Sequence, residues 1–326
     1  LEICESFFDI CYCCFNCGKE LGVYSLKPSS CNDEVCLHSF VNVGVGSNIV
    51  GEIKRDKYVV DFIISLASVA YHAPKEPPVF DPSPESEGIK IPKNFFSKLP
   101  SMKTICGKCR NDQELIELIG YESFCCLRFF IVAMKAQFIT LDESQHVKVN
   151  NFKGFQFLAS FVSPESELTF IEKKKKFGVK WFWHGSSVDR WYMILHTGLK
   201  DMGRTKYQQN GGPWFGDGIY MSDEFSVSFS YSRSCENKYT HSMLPKNLVV
   251  LSLIENADVP ELNGPVAPNE FTQQDEKACI TRVLFVANYS DQLVYYQNYP
   301  SLNSLTTPPE VPNLRDVLKF KLSNSK

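Results

Sequence analysis

The chain has 326 residues, 44% hydrophobic and 13% aromatic, enough to bury one large core or two ordinary ones. Its formal charge of -3 provides no overall basic footprint for nucleic acid, and no apolar run reaches the roughly 18 residues a bilayer span needs. Val59 to Ala70 is too short, and Phe124 to Phe138 is broken by Arg128 and Lys135, so a soluble chain is expected.

Thirteen cysteines, an odd number with adjacent pairs at Cys13-Cys14 and Cys125-Cys126, fit reduced thiols and metal ligation better than a secreted disulfide framework. A reducing compartment, cytoplasmic or nuclear, follows. Leu1 in place of Met points to a fragment or a processed chain, with an upstream signal peptide or domain left open.

Seven of the cysteines fall within the first 36 residues, which sets off residues 1–58 as a small Cys-rich module. Cys14-x2-Cys17 and Cys31-x4-Cys36 present two thiol pairs 13 residues apart, a spacing that can enclose one tetrahedral zinc ion. Cys11 could take the place of Cys17, and buried free thiols are the plain alternative. Cys106-x2-Cys109 is a second knuckle without an obvious partner pair; it could be redox-active, join Cys125 and Cys126, or be loop.

Residues 59–150 read as a helical region. Val59 to Ala70 carries a broad apolar helical stripe, ended by a Pro-rich linker at 74–92, and Glu114 to Ile119 and Phe124 to Ala136 have helical apolar spacing. This region is expected to form a layer against a sheet. The lysine run Lys173 to Lys176 reads as a solvated segment. From Gly178 the pattern changes to short β-type runs at Val179 to Trp183, Gly218 to Met221, Leu248 to Leu253 and Arg282 to Ala287. Ser187 to Thr197 reads as a helix with Val188, Trp191, Ile194 and Leu195 on one face and Gly198 at its C-cap. The tail, 301–326, is rich in Pro, Asn and Ser.

Three motifs carry chemistry: Trp183-His184-Gly185-Ser186-Ser187, Phe215-Gly216-Asp217-Gly218-Ile219-Tyr220, and a helix bearing Ser228 and Tyr231 one turn apart. A site for a flat amide-bearing ring must pair the amide in-plane and cover both ring faces, because an unpartnered buried amide costs a few kcal/mol. Gly185 lacks a Cβ and can offer its backbone N–H and C=O. Ser228 can offer a hydroxyl. For His184, and for Tyr220 and Tyr231, the plain alternative is core packing; the same reading is preferred for His38, His72 and His241.

In order and spacing, these motifs resemble the catalytic domain of the poly(ADP-ribose) polymerase family over residues 178 to 300. Residues 11 to 44 and 178 to 232 further resemble the branch that contains the family's sixth and eighth members, through Leu26-Lys27-Pro28, Cys31 and Cys36 before Ser39-Phe40, and His184-Gly185-Ser186-Ser187. The resemblance implies an α+β ADP-ribosyltransferase fold of split antiparallel sheets with flanking helices, spanning 151–300 after the Cys-rich and helical regions. It implies NAD as substrate: Tyr220 and Tyr231 sandwich the nicotinamide, Gly185 and Ser228 hold its carboxamide, and His184 with Ser186 holds the adenosine ribose.

The family's third catalytic position lies on the strand before the last. Taking Thr281 to Val286 as the last strand puts that position at Glu270, giving a triad of His184, Tyr220 and Glu270, with an exposed loop glutamate as the alternative. A carboxylate there would stabilise the oxocarbenium-like state of NAD cleavage. The branch resembled generally lacks this glutamate and transfers single units, and Val227 stands where many polymerising members carry lysine. Mono-ADP-ribosylation of protein acceptors, the protein itself included, is therefore expected. Chain elongation through Glu270, or a silent scaffold with a zinc-binding interaction module, are the alternatives.

Overall fold

Apolar residues on both faces of its central strands determine how this chain folds. In Asn247–Ala257 (β6), Leu248 and Val250 turn to one face and Val249, Leu251 and Leu253 to the other, and all five are buried. Cys279–Asn288 (β9) repeats this, with Leu284 and Val286 against Val283, Phe285 and Ala287. Such strands need cover on both sides. The computed structural model describes residues 12–26, 29–31, 33–39, 48–74, 80–149, 152–160, 163–203, 205, 215–292, 311, 312 and 317.

A helical layer covers the first face. It includes Ile49–Arg55 (α2) and Lys57–His72 (α3), preceded by the short Glu34–His38 (α1). Phe95–Lys98 (α4), Met102–Lys108 (α5), Asp112–Ile119 (α6) and Tyr121–Ala133 (α7) complete it. α3 is buried continuously from Val59 to Ala70, and Phe62 stacks on Phe157 of the sheet at 4.7 Å. The expected packing of helices on the sheet is thus observed. Residues 80–92, inside the Pro-rich stretch, also lie on this core: Phe80 packs on Tyr192, whose hydroxyl donates to Pro82 O at 2.8 Å.

The remaining strands are Phe138–Thr140 (β1), Phe155–Ala159 (β2), Val179–Gly185 (β3), Ile219–Ser222 (β4), Cys235–Glu236 (β5), Leu262–Ala267 (β7) and Glu270–Gln273 (β8). Every pairing is antiparallel, in the order β1-β2-β9-β6-β3-β4-β8-β7, with β5 beside β6. One register pair, Trp183↔Ser222, joins β3 to β4, so the sheet is nearly divided there. Pro164–Phe177 (α8), Val188–Thr197 (α9), Phe225–Tyr231 (α10) and Tyr289–Gln292 (α11) flank it. The expected α+β architecture with a split antiparallel sheet is present. No described helix is long and apolar enough to cross a membrane.

Two expectations need correcting. His38, His72 and His241 are exposed; the core histidine is His196, 2% exposed, its Nδ1 2.8 Å from Tyr192 O. The lysine run lies on α8 and is not simply solvated, because Lys173 pairs with Asp275 at 2.6 Å and Lys174 with Glu255. Glu255 is buried and also accepts from Arg282 Nε at 2.7 Å. Arg282 grips Glu167 through both Nη atoms, at 2.9 and 2.8 Å, and lies over the Phe170 ring. The β6–β9 register shifts at Leu253/Ile254, so Arg282 is the unpaired residue of a bulge and its side chain is released to this cluster.

Removing one member of a buried ion pair leaves the other charge without compensation. Arg282→Ala is expected to lower the unfolding free energy in urea by about 3–5 kcal/mol. A loss under about 1 kcal/mol would mean that solvent screens the cluster.

Candidate active site

The site forms where β3 and β4 part. Beyond the Trp183↔Ser222 pair, the carbonyl of Tyr220 meets the imidazole of His184, with Nδ1 at 2.7 Å. A carbonyl only accepts, so Nδ1 carries the proton and Nε2 of the neutral ring is an acceptor. Burial holds the His184 pKa below its ordinary 6.5, outweighing the opposite effect of this hydrogen bond, and keeps the ring neutral at pH 7. Ser186 is half-buried, and its carbonyl accepts from the Trp191 indole at 3.3 Å.

α10 lies directly on the end of β3. The space a Cβ would occupy at Gly185 is already taken by the Ser228 carbonyl, whose oxygen would be 1.8 Å away, and by Ser232 Oγ at 2.6 Å. Helix packing by itself requires glycine at this position. Ser228 is 3% exposed and donates to Trp183 O at 2.8 Å. Phe225 and Phe229, on the same helix, pack beneath it in a core shared with Trp183.

Tyr220 and Tyr231 are outside the core. Tyr231 is 43% exposed and Tyr220 half-buried, so the packing alternative for them fails. The Tyr220 hydroxyl donates to Gly216 O and accepts from Phe215 N–H, both at 2.8 Å, closing the Gly-Asp-Gly turn. Gly216 and Gly218 have φ of 95° and 134°, where a side chain would be strained.

Glu270 opens β8 opposite Ser222, with Thr272 opposite Tyr220. Directly paired residues share a face, so Glu270 and Tyr220 are diagonal neighbours on the same side of the sheet. Glu270 thus lies at the start of a strand and is half-buried. Burial raises its carboxyl pKa, and burial together with the Glu270 charge raises the phenol pKa of Tyr231. The polar residues that follow it, Thr272 and Gln273, are buried, with Gln273 Nε2 donating to Asn256 Oδ1 at 3.0 Å. A separate polar cavity of about 710 Å³ lies between the end of α3 and residues 236–246, lined by His72, Asn94, Lys238 and Tyr239 among others. None of the motif residues lines it.

In the Cys-rich module the sulfurs of Cys14, Cys17, Cys31 and Cys36 all lie within 4.8 Å of one another. Tetrahedral zinc with bonds near 2.3 Å separates its sulfurs by about 3.8 Å, and Cys17 and Cys31 are 3.8 Å apart. N–H donors reach the sulfurs too: Cys31 N to Cys14 Sγ at 3.2 Å and Asn16 Nδ2 to Cys36 Sγ at 3.4 Å. Burial raises the Cys14 thiol, but backbone N–H groups of Cys31, Cys17 and Asn16 outweigh it and bring the pKa to about 6. The donor set fits zinc. Cys11, Lys27, Pro28 and Phe40 lie outside the described residues. Cys106 is instead half-buried, with its thiol 3.6 Å from Ile53 O, while Cys109 and Cys126 are buried in the helical core. They belong to no metal-binding group among the described residues.

The module docks on the sheet. Leu26 donates its N–H to Gln137 Oε1 at 2.6 Å, accepts from Arg55 Nη1 at 3.0 Å, and buries its side chain in the core that holds Trp183 and Phe225.

Residues 144–283 match the family model described as poly(ADP-ribose) polymerase catalytic domain. The chain is 27% identical over 223 residues, 64% of its length, to mouse and human Protein mono-ADP-ribosyltransferase PARP8. It is 23% identical over 231 residues, 68% of its length, to mouse Protein mono-ADP-ribosyltransferase PARP16, of which the match covers 69%. The chain spans about a quarter of PARP8, the match covering 26% of that protein.

Two outcomes test the geometry. Gly185→Ala should push α10 off β3 and weaken binding of a nicotinamide mimic at least tenfold, measured by calorimetry; affinity within twofold of wild type would contradict the packing described. Purified protein should contain about one zinc per chain. Chelation should then speed amide exchange at Leu26 several-fold, and a metal-free chain equally protected there would remove the zinc site.

Proposed function

We propose that the protein is an NAD-dependent mono-ADP-ribosyltransferase that modifies protein side chains, its own included, in a reducing cytoplasmic or nuclear setting. The catalytic-domain match over residues 144–283, spanning the split where the three motifs meet, supports this most directly. The names of PARP8 and PARP16 support transfer of single units.

In this reading the nicotinamide lies between Tyr220 and Tyr231, each face adding about 0.5–1.5 kcal/mol beyond burial. Gly185 and Ser228 hold the carboxamide. The unprotonated Nε2 of His184 accepts from a hydroxyl of the adenosine ribose, with Ser186 beside it. The bond between C1′ of the ribose and the nicotinamide nitrogen breaks, nicotinamide leaves as a neutral molecule, and the acceptor atom bonds C1′ as it loses its proton. Glu270, ionised, faces the positive charge that grows on that ribose. Its desolvated setting strengthens the interaction and suits it to accept the acceptor's proton.

With labelled NAD, His184→Ala or Tyr220→Ala should remove most of the label on the protein itself. Undiminished labelling in both variants would reject the assignment. Because burial favours neutral His184, activity should hold as pH falls to its ordinary 6.5 and decline only below it. An acid limb centred above that value would contradict the role given to His184. Product lengths from wild type and Glu270→Gln separate single transfer from elongation.

A further inference from the structure

Nothing in the described structure holds the side chain of Glu270: its carboxylate has neither a hydrogen bond nor an ion pair among the described residues. The turn immediately before it, by contrast, is anchored. Ser222, two residues after Tyr220, donates its hydroxyl to Asn269 O at 2.5 Å and accepts from Glu224 N–H at 3.0 Å. Asn269 Nδ2 then donates to Glu224 Oε1 at 2.7 Å. Glu224 is the N-cap residue of α10, the helix that carries Ser228 and Tyr231. Three hydrogen bonds thus join the end of β4, the start of α10 and the β7–β8 turn. Those are the three pieces that carry Tyr220, the Ser228–Tyr231 pair and Glu270.

We infer that Asn269, held by Glu224 and Ser222, is a positioning residue that sets the direction of the Glu270 carboxylate toward the ribose of NAD. The inference rests on the role given to Glu270 above. Asn269 has φ 63°, a left-handed conformation that asparagine tolerates better than most residues, so the turn alone could explain its presence. Glycine would satisfy that backbone equally well. Only the side-chain amide reaches Glu224, and that bond ties the turn to the helix. Because Glu270 follows Asn269 directly in a hydrogen-bonded strand, a shift of the turn moves the carboxylate and leaves Gly185, on the far side of the split, in place.

Asn269→Gly keeps the backbone conformation and deletes the amide, so it separates the two explanations. In the full chain it should lower kcat for NAD cleavage on the order of tenfold, the scale of a sub-ångström misplacement, with KM for NAD and affinity for a nicotinamide mimic within about twofold. Amide exchange at 269–271 should rise several-fold. Glu224→Ala should also slow turnover, and Glu224→Gln, which retains the accepting oxygen, should restore it to within about threefold of wild type. In a Glu270→Gln background, Asn269→Gly should cost less than about twofold further, because the group it positions is gone. Wild-type kcat in Asn269→Gly, or the same loss in both backgrounds, overturns the inference. Full activity in Glu270→Gln alone would instead refute the role of Glu270, whatever Asn269→Gly does.

Discussion

The close approach of α10 to the end of β3 is the constraint on which the candidate site depends. A helix can lie this near a strand only where the strand offers no side chain, and Gly185 is that position: the Ser228 carbonyl fills the space of its absent Cβ. The contact is held from below by Phe225 and Phe229 against Trp183, and from the side by the Ser228 hydroxyl on Trp183 O. It also places Ser228 and Tyr231 above the gap between β3 and β4, where a single register pair leaves the sheet open. Two adjacent antiparallel strands that stayed fully paired would leave no room for a ligand there.

Polar groups inside the sheet mark the limits of this opening. His184 replaces a ladder bond by taking the Tyr220 carbonyl with its ring, and the price is a proton fixed on Nδ1. Gln273 and Asn256 satisfy one another below β4, and Glu255 is balanced by Arg282 and Lys174 at the bulge in β9. Gln273, Asn256 and Glu255 are buried, and each has a partner, as burial of a polar group requires. The Cys-rich module meets the same core from outside, where Leu26 reaches the cluster that contains Trp183 and Phe225.

Much of this was legible in the residues. The apolar runs at 179–183, 248–253 and 282–287 fall within β3, β6 and β9, and Trp191 and Leu195 face the core as their helical spacing required. Periodicity failed where polar residues sit in strands. Thr272 and Gln273 look like loop, yet both are buried in β8 because Gln273 finds Asn256, seventeen residues away in sequence. Short strands β1, β2 and β7 gave no usable pattern, since a few residues cannot show alternation. The Ser222–Glu224–Asn269 network was missed as well. Its one local signal was Pro268-Asn269, proline then a residue tolerant of positive φ, which suits a tight turn.

By itself the sequence determined the chemistry on offer: which side chains can pair an amide, stack on a ring, accept from a hydroxyl or ligate zinc, and at what spacing along the chain. It also determined the segments that must be buried, because apolar side chains have no favourable alternative. Only the tertiary structure decided which of these groups meet. The gap between β3 and β4, the tautomer of His184, the face shared by Tyr220 and Glu270, and the gathering of four sulfurs all depend on contacts between residues far apart in the chain. No local propensity encodes those contacts, since their geometry is set when the helices and sheet pack together.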